Sequence, residues 1–182
     1  MYTDAVGIRG GLFKELKRYV TTRHSAETYK KVLENLKPDH RGVFEGVLVA
    51  NQLYPLLAYQ QFLEEFGTMV SQEELENSAR YLAEENLKGL FLVFARLLSK
   101  EYLIKRMSIM WEKIYTTGDI TLLENSAARS GVLVQGLEFN PAHRTHSEIY
   151  IRTILERATR QKHRSEAREI GRARTEFWFY PE

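Results

Sequence analysis

Apolar residues recur at three- and four-residue spacings as far as about residue 117, and at two-residue spacings or in short runs after it. The first regime predicts helices and the second strands. Leu12, Phe13, Leu16, Tyr19 and Val20 share one face over Gly11 to Val20, a first helix. Ser25 with Thr28 opens a second, where Tyr29, Val32, Leu33 and Leu36 line one side and Pro38 is the stop. The stretch RGVFEGVLVANQLYPLLAYQQFLEEFG reads as a third helical segment that Pro55 breaks near Asn51 to Tyr54 and Gly67 ends. Ser71 and Glu74 have capping-box spacing, so a long helix starts there and runs to about Leu98. Its stripe is Leu75, Ala79, Leu82, Ala83, Leu90, Phe94 and Leu97. A further helix covers Lys100 to Tyr115, with Leu103, Ile104, Met107, Met110, Trp111 and Ile114 inward.

Gly118-Asp119 is a turn signal, and the period changes there. ITLLENSA and SGVLVQGLEF, joined by a polar link around Arg129 to Gly131, predict an antiparallel hairpin. Thr145 and Glu148 repeat the capping-box spacing and predict a helix to about Arg160. RSEAREIG and RTEFWFYPE predict two more strands. In the last, Phe177 and Phe179 point to one face and Trp178 and Tyr180 to the other. The expected fold is α+β: a helical N-terminal two-thirds, then a four-stranded antiparallel sheet with one inserted helix.

Composition narrows the function classes. A length of 182 residues suits one domain, 1–182, and 43% hydrophobic residues suffice for a sizeable core. The absence of cysteine excludes a disulfide scaffold, thiolate metal sites and a cysteine nucleophile. A net charge of +2 is no polycation. The run from Arg152 to Arg174 is basic but carries Glu156, Glu166 and Glu169, and reads as a solvated face, so nucleic acid is not an expected partner. The stretch from Glu64 to Glu85 is its acidic counterpart. Charges interrupt every apolar run, LKGLFLVFARLLSKEYLI included, so no membrane span is expected and the location expected is cytoplasmic.

Candidate chemistry is sparse. His143 and His146, with Glu148 close behind, have a spacing open to zinc, but no third ligand accompanies them. They read as a surface loop and helix start, and no metal is expected. His24, His40 and His163 stand among polar residues and read as solvated. No nucleophile elbow, P-loop, dinucleotide fingerprint or zincin motif occurs, so no catalytic residue is assigned and an enzyme is not the favoured reading. Phe91, Phe94, Trp111 and Tyr115 on the two central helices are the candidate lining of an apolar ligand site, or plain core.

The order of elements resembles a superfamily joining 4-vinyl reductase-type ligand-binding domains, heme–nitric-oxide/oxygen-binding domains and the palmitate-binding subunits of the TRAPP tethering complex. The chain looks most similar to an uncharacterised bacterial paralogous family in that group. The vinyl-reductase-type pattern C-x-x-x-G-x-x-x-C-x-F falls here on Ala167, Gly171, Thr175 and Phe177, so the glycine and phenylalanine match and both cysteines are replaced. The heme branch needs an axial histidine on a helix ahead of the first sheet strand, and LKGLFLVFARLLS and KEYLIKRMSIMWEKIY contain none. Its Y-x-S-x-R motif is met only by Ser126 and Arg129 at a different spacing. On this resemblance no cofactor is expected, heme included. What it implies is a non-enzymatic sensing module that binds a small, largely apolar ligand and acts as a homodimer or with a protein partner in signalling. The alternative is a ligand-free, dimerising interaction module.

Overall fold

A computed structural model of the chain describes residues 6–88 and 108–182. Phe91 and Phe94 lie outside the described residues. The elements in order are β1 (Gly7–Arg9), α1 (Gly10–Arg23), α2 (Ala26–Asn35), α3 (Pro38–Glu45), β2 (Leu53–Pro55), α4 (Leu56–Met69) and α5 (Gln72–Asn86). A helical segment at 108–114, α6, follows, then β3 (Asp119–Asn125), β4 (Ser130–Gln135), α7 (Pro141–Thr159), β5 (His163–Gly171) and β6 (Arg174–Pro181). The α+β reading holds: helices come first and a four-stranded antiparallel sheet last, in the order β3-β4-β6-β5.

The caps account for the helix starts. Ser25 accepts from Thr28 N at 3.0 Å and Ser71 from Glu74 N at 3.2 Å, as their spacing predicts. Pro38 behaves differently from the expectation. It stops α2 and is also the first residue of α3, where its missing N–H costs nothing. The third helical stretch is therefore two helices, and the break falls on Leu53–Pro55, which forms β2. That strand pairs with β1, a ribbon of three residues each that the sequence reading missed. Runs so short show no period.

The sheet has a dry face and a wet face. Val132 and Val134 of β4 stand beside Phe177 and Thr175 of β6, and all four are buried. Phe177 and Phe179 point inward while Trp178 and Tyr180 face out, as the two-residue period requires. Trp178 lies over Gly131, where any side chain would collide with the indole, and the Arg129 guanidinium sits 4.6 Å from its ring centroid. The helix α7 is buried on several sides, against α4 and α5 and along β5.

Candidate functional site

The site is a cavity of about 50 Å³ among the helices. Leu12 of α1, Tyr59 of α4 and Trp111 and Ile114 of α6 line it, with Tyr115 and Ile120 beyond. From α7 come His146, Ser147, Tyr150, Ile151, Ile154 and Leu155. Two candidates from the sequence, Trp111 and Tyr115, thus stand in the lining, stacked at 4.2 Å between ring centroids.

The histidine pair is where the sequence expectation fails. His143 and His146 are 0% and 3% exposed, neither in a loop nor at the surface. The helix starts at Pro141, four residues before the capping box of Thr145 and Glu148. Asn140 is the N-cap, accepting from His143 N at 2.8 Å. Residues three apart on a helix lie on one side of it, and both rings meet Tyr59, with centroids at 5.9 and 6.0 Å. The solvated reading of the other histidines fails too. His163 is 4% exposed, His24 packs on Phe66 and lies 3.3 Å from Glu74, and His40 is bonded to Gln61.

The two buried histidines differ in what they bond. Gln60 Nε2 donates to the Glu138 carbonyl oxygen at 2.7 Å and lies 3.1 Å from His143 Nδ1. An amide nitrogen only donates, so Nδ1 accepts and the ring proton sits on Nε2. That N–H faces the Tyr115 hydroxyl at 3.0 Å, and Tyr115 is bonded in turn to Ser147. A polar relay, Gln60–His143–Tyr115–Ser147, therefore ties α4, α7 and the end of α6 together. His146 Nε2, by contrast, is buried without a hydrogen-bond partner, and so is the Tyr59 hydroxyl.

Burial pushes both imidazoles down to about 3, His143 with a smaller push from its neighbour His146. Both are neutral at physiological pH. Burial is the main cause that drives the Tyr59 and Tyr115 hydroxyls well above the ordinary tyrosine range. The cavity thus carries no charge. It is apolar, with a neutral imidazole nitrogen, a phenolic hydroxyl and the Trp111 indole N–H left unpaired among its lining residues. A buried polar atom with no partner costs about 1–3 kcal/mol, which a guest able to bond it would recover. Among the described residues no group of three or more His, Cys, Asp or Glu can hold a metal ion. No described helix is long and apolar enough to cross a membrane.

No family model and no curated protein matches the chain. Solved structures do. It is similar to the Fe(II) unliganded H-NOX protein of K. algicida, with TM-score 0.71 and 12% identity over 96% of this chain and 97% of that one. It is similar to the H-NOX protein of S. oneidensis in the Fe(II)NO ligation state, with TM-score 0.63 and 10% identity over 96% and 99%. A third structure, described as modulating heme redox potential through protein-induced porphyrin distortion, aligns with TM-score 0.63 and 8% identity over 95% and 99%. These neighbours overturn the expectation that no cofactor is involved, because they carry heme-type iron chemistry on this architecture. That expectation rested on helices ahead of β3, whereas an unpartnered imidazole, His146, lies on α7. As a donor, a neutral buried His146 fits an iron. The space does not fit a porphyrin in this conformation. About 50 Å³ takes a few small atoms, whereas pockets for larger organic ligands run to ~300–1,000 Å³. At such low identity the likeness shows the fold, and that fold is H-NOX-like.

Proposed function

We propose that the chain is a sensing module whose ligand occupies the cavity between α1, α4, α6 and α7, with His146 as the polar anchor. The observation that carries this is the pairing of an apolar cavity with three buried, unpartnered polar groups, His146 Nε2, Tyr59 OH and Trp111 Nε1. A structural core has no use for such groups, since apolar side chains of the same size would be more stable. The H-NOX-like fold supports the sensing role, because neighbours on it are named for iron and its NO complex. Heme is accordingly the first cofactor to test, and loading it requires the helices around the cavity to part.

The readout proposed is helix packing. The relay through His143 and Tyr115 fixes how α7 sits on α4 and α6, and Ser147, its last member, is in the cavity wall. A guest that binds one packing of these helices better than another shifts the balance by that difference and no more. A partner protein that recognises one packing would complete an adaptor.

The test is His146→Leu. The protein, expressed with and without added heme precursor, is examined by absorption spectroscopy and by mass spectrometry of extracts. The wild type is expected to retain a co-purifying molecule, heme first among them. The variant is expected to retain at least tenfold less while its melting temperature holds or rises. A variant that keeps its guest, or a wild type that none of these conditions fills, sinks the reading.

A further inference from the structure

A second depression, of about 490 Å³, opens on the surface beside the cavity. The two share Leu12, Met110, Ile114, Tyr150 and Ile154, so one apolar seam separates them. Tyr150 stands in that seam, its hydroxyl accepting from Asn86 Nδ2 at 3.0 Å. The rim on the outer side is of one sign. Arg9 and Lys113 line it with the amides of Asn51 and Asn86, and among the described residues no carboxylate does. Arg9 is held in place, its guanidinium donating to the carbonyl oxygens of Lys113 at 3.2 Å and Asn51 at 2.5 Å. Those acceptors are neutral, and Arg9 makes no ion pair among the described residues. The Lys113 ammonium makes no ion pair among the described residues. The first turn of α1 borders the same groove through Gly11 and Leu12, but its Gly10 and Gly11 N–H groups already donate to the Gln52 and Ala50 carbonyl oxygens, so the charge of the groove rests on Arg9 and Lys113.

We infer that groove and cavity together take an amphiphile, with an anionic head at Arg9 and Lys113 and an apolar body laid across the seam toward the cavity. Charge selects the head: two cations with no opposing carboxylate among the described residues of the lining favour a carboxylate over a neutral or cationic group. Area selects the body, since Leu12, Met110, Ile114 and Ile154 continue without a polar break from groove to cavity. Tyr150, bonded to Asn86 in the seam, is then the side chain that must yield as the body enters. The inference deepens the sensing proposal and rests on the cavity being the ligand site.

Calorimetric titration of the full chain with octanoate and with 1-octanol tests it, since the two share a body and differ in the head. Octanoate is expected to bind about five- to tenfold more tightly at low salt, and added salt to erase the gap. Lys113→Glu, at an exposed position, is expected to remove the octanoate advantage and leave octanol unchanged, while Lys113→Arg keeps both. Equal binding of the two probes, or an advantage that survives Lys113→Glu, overturns the head-group assignment and leaves the cavity reading standing. If neither probe binds, the amphiphile inference fails, and the cavity reading stands or falls on the co-purification test with His146→Leu.

Discussion

At the scale of single residues the molecule turns on His143 and His146. Their three-residue spacing is visible in the sequence and was read there as a surface feature. Burial is not visible, and it reverses the meaning of the pair. Both are neutral in the folded state, with pKa values near 3, whereas an exposed histidine titrates near ~6.5. The unfolded chain therefore takes up two protons below pH ~6.5 that the folded chain refuses until about pH 3. Stability is full above pH ~6.5 and is lost as pH falls through that window, by up to about 3 kcal/mol per pH unit at its steepest. Urea unfolding at pH 7, 5 and 4 checks this. His143→Gln with His146→Gln is expected to flatten the dependence, and an equally steep fall in the double variant would assign it to carboxylates such as Glu74. Glu74 is held below its usual range chiefly by the Tyr19 hydroxyl, and so shifts stability in the same direction.

Among the elements, α7 decides the site, and its start was misread because two N-terminal signals overlap. Thr145 and Glu148 have the right spacing, but Asn140-Pro141 comes first and wins through tertiary contacts. Asn140 Oδ1 caps His143 N, while its Nδ2 donates to the Gln60 carbonyl oxygen at 3.1 Å and lies 3.3 Å from Glu64. One side chain thus caps α7 and fastens it to α4. Asn140→Ala is expected to cost about 2 kcal/mol in urea unfolding, at the upper end for a cap because a contact between helices goes with it. A loss below 0.5 kcal/mol would mean that the capping box inside α7 takes over.

For the whole molecule, the aromatic tail is an inner strand of the sheet, paired with β4 on one side and β5 on the other, so β5 and not the tail is the edge. Phe177 is 0% exposed and packs edge-on against Phe139 at 5.7 Å, while its neighbour Trp178 lies on the outer face over Gly131. Phe177→Ala is expected to cost about 3–5 kcal/mol and Trp178→Ala about 1–2 kcal/mol, measured by denaturant unfolding. Equal costs would mean that the two faces are not distinguished. Element types, most helix starts and the inward face of β6 were legible in the sequence, because periodicity and capping are set by residues within a few positions of each other. The apolar character of Trp111 and Tyr115 was legible for the same reason. The β1–β2 ribbon, the burial of the histidines and the relay were not. Gln60 and His143 stand 83 positions apart and Tyr115 and His143 stand 28 apart, and no local pattern records which distant residues meet. The sequence by itself determined that helices come first and the four strands of the main sheet last, but not the short β1–β2 ribbon. Only the packing of α7 between helices and sheet decided that two ordinary histidines became neutral, dry and, in one case, unpaired, because desolvation and hydrogen bonding depend on what surrounds a group in space and not on what adjoins it in the chain.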